Sequence, residues 1–338
     1  MDMPAPHAQP LPPAVHGDAS ALSPEARAEV QRLVARKPVA LLLQLLLAWM
    51  VIFAAMAWAE WAESVWVGAL AVIIVATRQN VLGLLIHEQT HCLAFKAGRG
   101  DLAVNLLAAY PLIGITVEGY ARVHLAHHEY YFTDRDPDFL RKSGPEWSFP
   151  RSGMSLAKLF VSDLMGLNTW RMIKGKKTAL PDPEQIKRPS VAPAWLRPLY
   201  LLALVAAVAA THNSRPFLLY WLLPLFTVTP AIVRWGAICE HRYNLPDATV
   251  EESSPLIIPS WWEKIVLPNL NFSLHPYHHY FPGIPFCSLP TAHQIFRREG
   301  LVDEAHVFRG SVAYLKAITR SSVERRISSR DAAGSGGS

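Results

Sequence analysis

Four apolar runs set the first limit on this chain. "VALLLQLLLAWMVIFAAMAW" (39–58) holds 20 residues without a charge, enough helix to cross the roughly 30 Å hydrocarbon slab of a bilayer. "VWVGALAVIIVATRQNVLGLLI" (65–86) follows after the short acidic link "AEWAES" (59–64). "WLRPLYLLALVAAVAA" (195–210) and "PFLLYWLLPLFTVTPAIVRW" (216–235) make a second pair, joined by "THNSR". In hydrocarbon every backbone N–H and C=O needs a partner inside the protein, so runs of this length read as helices. The expected fold is all-α: a polytopic membrane protein with four transmembrane helices in two hairpins. Only 17% of the residues are charged, against about 25% in soluble domains.

Charge orients the runs. The 59–64 link has no Lys or Arg and 211–215 has only Arg215, whereas 121–194 carries twelve, including "KGKK" at 174–177. The positive-inside rule therefore puts both chain ends and the middle region on the cytoplasmic face, and Trp58, Trp61, Trp66, Trp195 and Trp235 fall where an interfacial belt would lie. The expected location is a multi-pass integral protein of a bacterial inner membrane. No Lys/Arg-rich block alternates with aromatics, which excludes nucleic acid as a partner. Residues 1–22, rich in Pro and Ala and without the basic start and apolar core of a signal peptide, read as disordered. Residues 23–330 read as one membrane-embedded domain, and "DAAGSGGS" (331–338) as a linker or tag remnant. Ser23 as N-cap and Pro24 at the first helical position start a short basic helix over 23–38, placed on the membrane surface.

One apolar run does not fit the pairing. "LAVNLLAAYPLIGITV" (102–117) contains Pro111 and separates two histidine clusters. A single crossing would put those clusters on opposite faces, and two crossings do not fit in the length. If the clusters share a site, this run is re-entrant or interfacial.

Nine of the 14 histidines fall in four clusters: His87 and His91 in "HEQTH", His124, His127 and His128 in "HLAHH", His241 in "CEHRY", and His275, His278 and His279 in "HPYHH". H-x-x-H-H occurs twice. Imidazole is the commonest metal-ligating side chain, and residues i, i+3 and i+4 of a helix project to nearly one side. Nine rings exceed the four ligands of one zinc, so two metal ions are expected. Nearby acids, among Glu88, Glu129, Asp134, Asp136, Asp138 and Glu240, can orient the rings from an outer shell. The expected outer partners are Glu88, Asp138 and Glu240, together with Asn271, four residues before His275. His212, His293 and His306 stand alone and read as ordinary satisfied side chains. Cys92, Cys239 and Cys287 are far apart and form no C-x-x-C, so no thiolate metal site or redox pair is expected.

HEQTH also fits the zinc-protease pattern, with Glu88 as general base. That reading needs a third ligand. No Asp-Gly dipeptide, which commonly carries it in membrane zinc proteases, occurs in the chain, and the other clusters would be idle.

The three boxes "HEQTH", "HLAHHEYYFTDRDPDF" and "NFSLHPYHHYFPGIP", in this order and with this hairpin layout, resemble the membrane-bound fatty acid desaturase family over roughly 40–300. The resemblance implies a di-iron centre at the cytoplasmic face. Its ligands would be His87, His91, His124, His127, His128, His275, His278 and His279, with His241 as the extra histidine after the last span. It implies no catalytic residue beyond the metal ligands and no further cofactor-binding residue. O2 is the implied co-substrate and a fatty acid or fatty acyl lipid the implied substrate. Desaturation is the expected reaction, with hydroxylation or oxidative decarboxylation of a free fatty acid to a terminal alkene as alternatives on the same centre. Glu240-His241 departs from the acyl-CoA desaturase pattern, in which an asparagine precedes the extra histidine by several residues, and points away from an acyl-CoA substrate. The chain carries no rubredoxin, iron–sulfur or fused cytochrome b5 motif, so electrons must come from an external donor such as a ferredoxin. Lys174, Lys176 and Lys177 are a candidate docking patch for it.

Overall fold

The computed structural model describes residues 11–174 and 187–319. These are mostly helical. Helix α1 (Pro24–Leu33) starts as expected, with the Ser23 hydroxyl accepting from the Ala26 N–H. Helices α2 (Pro38–Ala62) and α3 (Val65–Thr90) form the first hairpin, turned by Glu63 in a left-handed conformation. Helix α3 runs a full turn beyond the expected span and so carries His87 to its polar end. After α4 (Arg99–Val104) come α5 (Val117–Glu129), α6 (Pro137–Lys142), α7 (Gly153–Leu164) and α8 (Leu167–Lys174). The second pair is α9 (Leu196–Ala210) and α10 (Ser214–Glu240).

Among the described residues three helices, α2, α3 and α10, are long and apolar enough to cross a membrane. Helix α9, the fourth run expected to span, has 15 residues, about 22 Å of helix, and stops short of the slab's full thickness. None of its residues is buried in the protein.

The N-terminal part departs from the expectation of disorder. Residues 11–22 are ordered along the C-terminal region: the His16 N–H donates to the Leu301 carbonyl and the Asp303 N–H to that of Ala14. Val15 and Leu22 are buried there. Helix α1 turns Ala26 and Val30 into the same apolar cluster, against the helix Leu289–Arg298, and Glu29 pairs with Arg298. Its apolar side is thus occupied by protein, which removes the reason to place it on a membrane surface. Residues 1–10 and 331–338 lie outside the described residues.

The odd run behaves as a loop that leaves the polar end and returns to it. After α4 comes a π-helical turn (Asn105–Ala109) and then irregular chain to Thr116. Its carbonyls are met by side chains. Trp49 Nε1 donates to Leu107 O, Trp221 Nε1 to Pro111 O, and Arg197 to Ile113 O. Asn105 accepts from the Val117 N–H and donates to Glu118, tying the start of the loop to its end. Helix α10 has its own π-helical turn (Leu218–Leu222). There the Trp221 carbonyl accepts from Gln79 Nε2 at 2.8 Å, while Gln79 Oε1 accepts from the Thr229 hydroxyl at 2.6 Å. The chain ends in a region of short helices: α11 (Val250–Ser253), α12 (Trp261–Val266), α13 (His275–Tyr280), α14 (Leu289–Arg298) and α15 (Ser311–Thr319). One small parallel strand pair, Ile257–Ile258 with Phe308–Arg309, joins them.

Replacing Gln79 with Leu strands the Trp221 carbonyl and the Thr229 hydroxyl in a dry interior, at about 1–3 kcal/mol for an orphaned polar group. The thermal midpoint of the detergent-solubilised protein should fall by several degrees. An unchanged midpoint would show that the π-helical turn does not need this bridge.

Candidate metal centre

Local chain conformation delivers each ring. His87 lies in the last turn of α3, and His91 follows as its C-cap. Helix α5, capped by the Thr116 hydroxyl on the Gly119 N–H, carries His124, His127 and His128. His241 is the first residue after α10 and is extended. Asn271, left-handed at φ 62°, starts a 3-10 turn that leads into α13 with His275, His278 and His279.

The nine rings converge in two groups. His87, His91, His124 and His278 have ring nitrogens within 4.8 Å of one another. His128 joins them, its Nε2 lying 3.1 Å from Nε2 of both His124 and His278. The second group contains His127, His241 and His279. His275 completes it, 3.0 Å from His241 and 3.1 Å from His279 between Nε2 atoms. The groups touch where His128 stacks on His279, ring centroids 4.3 Å apart. Each H-x-x-H-H box therefore splits. Its first and last histidines serve one group and the middle one serves the other. The expectation that all three would face one way overlooked that adjacent helical residues sit about 100° apart, wide enough to straddle two centres.

Hydrogen bonds at the far ring nitrogens aim two of these rings. His127 Nδ1 lies 2.7 Å from Asp136 Oδ2, a buried pair. Asp136 is itself held by the Phe132 N–H and caps α6 by accepting from the Asp138 and Phe139 N–H groups. His241 Nδ1 lies 3.0 Å from the Ser254 hydroxyl and 3.2 Å from that of Tyr131, which also meets Ser253. Tyr131 and Ser254 had no signal in the sequence, and Asp136 was one acid among several in "TDRDPDF".

The four residues expected as outer partners sit close by, but among the described residues none bonds an imidazole nitrogen. Glu88 accepts from the Phe286 N–H at 3.1 Å and Asn271 donates to the Phe286 carbonyl at 3.1 Å, so both tie box one and box three to the same loop. Asp138 pairs with Arg141 and Lys142 and accepts from Tyr243, whose ring packs 5.5 Å from His241. Glu240 ends α10. The lone histidines behave as expected: His293 bonds Tyr277, His306 bonds Asp303, and His212 lies exposed in the α9–α10 link. Of the proposed donor patch, Lys174 is exposed, while Lys176 and Lys177 lie outside the described residues.

The sequence that builds this site has a counterpart among known families. The family model for fatty acid desaturases matches residues 64–310. The chain belongs to the fatty acid desaturase family. Among curated proteins none matches it. Membership implies an oxidoreductase acting on a fatty acyl substrate at a membrane, and all nine clustered histidines lie inside the matched region.

Burial sets the protonation of the desaturase rings. It pulls His91 and His275 down to about 3, with Arg188 adding to the shift at His91 and His127 at His275. Burial, and then the neighbouring rings, hold His124, His128, His241, His278 and His279 well below their usual range. These rings are neutral at physiological pH, as ligation requires.

Unfolded imidazoles take up protons near pH 6.5, whereas the folded rings resist until far lower pH. Between the two the unfolded chain binds more protons, so the metal-free protein should be most stable above about pH 6.5 and lose stability as pH falls. Thermal midpoints of chelator-treated protein from pH 8 to 5 should show this decline. The decline should be shallower in His275→Gln, which removes one such ring; an equal slope would speak against a buried neutral His275.

Proposed function

We propose that this chain is an O2-dependent di-iron membrane enzyme that oxidises an unactivated C–H bond of a fatty acid or fatty acyl lipid, with desaturation as its reaction. One observation carries the reading: two adjoining groups of imidazoles whose neighbouring nitrogens lie 2.9–3.2 Å apart. With metal–nitrogen bonds of about 2.1 Å, nitrogens at right angles lie about 3.0 Å apart and at the tetrahedral angle about 3.4 Å. The spacing is of the order expected for imidazoles side by side on shared metal ions. Imidazole suits iron.

His87, His91, His124, His128 and His278 would hold one ion, and His127, His241, His275 and His279 the other. When bound, the iron pair supplies the redox chemistry that couples O2 to the C–H bond, with electrons from an external carrier such as a ferredoxin. The protein's own contribution is placement. Asp136 locks His127, and Ser254 and Tyr131 lock His241, so that their Nε2 lone pairs face inward. Burial of the rings keeps bulk water from the reacting carbon. We place α2, α3, α9 and α10 across the bilayer with the histidine end cytoplasmic, α9 being accommodated by local thinning.

The protease alternative needs Glu88 beside a metal-bound water. Glu88 is 2% exposed and its carboxylate is engaged by the Phe286 N–H, while His87 and His91 share their group with His124 and His278.

Elemental analysis should find about two irons per chain, falling to about one in His278→Ala and in His275→Ala, one from each group. One zinc, kept in His278→Ala and lost in His87→Ala, would sink the proposal in favour of the protease. Asp136→Asn should retain the fold but weaken metal retention about 10–100-fold. With a fatty acid, O2 and a ferredoxin system, an internal double bond is the expected product; an alcohol or a terminal alkene would move the assignment to hydroxylation or decarboxylation.

A further inference from the structure

The segment between box two and α9 holds an elbow that its charge content disguises. Helix α7 packs Leu156 among Ile238 and Cys239, at the polar end of α10. At the penultimate residue of α7, the buried Asp163 forms an ion pair with the part-buried Arg234. Gly166, at φ +71°, turns the chain, and its α-carbon comes so close to the Phe226 carbonyl that an added Cβ would lie 3.3 Å from that oxygen. Thr169 in α8 then donates its hydroxyl to Phe226 O at 3.1 Å. The contacts thus descend along α10 from residue 239 to residue 226. Phe226 lies eight positions before Arg234, about 12 Å deeper along the helix, and Arg234 and Trp235 are the residues that an interfacial belt would hold at the surface.

The bond to Phe226 has a cause in the sequence. The N–H that would close a helical bond to this carbonyl belongs to position 230, which is proline. In hydrocarbon the orphaned carbonyl would have no partner. Thr169 supplies one. The buried Asp163 also accepts from Asn168, to which the exposed Arg171 donates. The elbow's outer side presents Val161, Leu164, Met165, Trp170 and Ile173, all exposed in the protein. Val233, on α10 one residue from Arg234, is exposed as well.

We propose that the α7–α8 elbow is a half-membrane insertion, with its outer face covered by the acyl chains of the cytoplasmic leaflet. It goes beyond the di-iron reading and rests on that section's placement of α10 across the membrane with the His241 end cytoplasmic. It also removes residues 160–173 from the cytoplasmic middle region that their charge content suggests. Arg171 and Lys174 lie on the returning limb, where Lys174 sits over the Trp170 ring at 4.4 Å and both cations can reach the headgroups.

The test is spin-label accessibility in protein reconstituted into phosphatidylcholine–phosphatidylglycerol vesicles. Nitroxides go on Met165→Cys, on Leu47→Cys at the exposed flank of α2, and on Ser143→Cys in the polar region, each in a Cys287→Ser background. Collision with O2, concentrated in hydrocarbon, is compared with collision with a water-soluble nickel chelate. The Met165 label should match Leu47, with an O2-to-nickel ratio several-fold above that of Ser143. A Met165 label that behaves like Ser143, with Leu47 still in lipid, would overturn the insertion alone. A Leu47 label that also behaves like Ser143 would overturn both the insertion and the membrane placement beneath it.

Discussion

Everything in this structure answers to the cost of crowding nine imidazoles into a dry space. Nitrogen atoms 2.9–3.2 Å apart in closed sets, such as the triangle of His241, His275 and His279, cannot all be satisfied by hydrogen bonds to one another. Each neutral ring offers one donor and one acceptor, and a triangle of mutually facing Nε2 atoms leaves lone pairs opposed. A cation at the centre would resolve the conflict, and the scaffold holds the rings in place for one. The scaffold does so with elements far apart in the chain: the end of α3, the whole of α5, the first residue after α10, and the short α13. Their ties run through Asp136, Ser254, Tyr131 and the Phe286 loop that Glu88 and Asn271 share.

The second constraint is the apolar surround. Wherever the chain leaves regular helix within its apolar segments, a side chain closes the exposed backbone. Trp49, Trp221 and Arg197 serve the 105–116 loop, Gln79 serves the π-helical turn of α10, and Thr169 serves the carbonyl that Pro230 orphans. These bonds let the chain bend where the site needs it. The loop brings α5 back to the polar end beside α3, so that His124 reaches His91 at 2.9 Å. Without that return the first two boxes would lie at opposite ends of the apolar layer.

Much of this was legible beforehand. The hairpin of α2 and α3, the strong apolar run of α10 and the nine metal-ligand candidates follow from uncharged length and from histidine spacing, both local properties. The return of the 102–117 loop could be argued only conditionally, since it depends on whether two clusters meet. For residues 11–22 the Pro- and Ala-rich composition suggests disorder, but Val15 and Leu22 fill sites in the C-terminal region that composition alone does not reveal. The short α9 reads as a span only by its pairing with the longer run 216–235, since 195–210 holds 16 residues, one of them Arg197, and ends at the polar link "THNSR".

The sequence by itself determined the apolar helical class of the molecule and which histidines are candidate metal ligands, because hydrophobic length and imidazole chemistry do not depend on neighbours. Only the tertiary structure decided how the histidines divide into two groups of five and four. It alone showed hydrogen bonds to the rings from Asp136, Tyr131 and Ser254, and among the described residues none from Glu88, Asp138, Glu240 or Asn271. The reason is geometric. A ring's allegiance is set by the roughly 100° between successive helical residues and by which distant element arrives opposite. Hydrogen-bond partners across 9 positions, as for His127 and Asp136, or 13, as for His241 and Ser254, are chosen by the path of the chain between them.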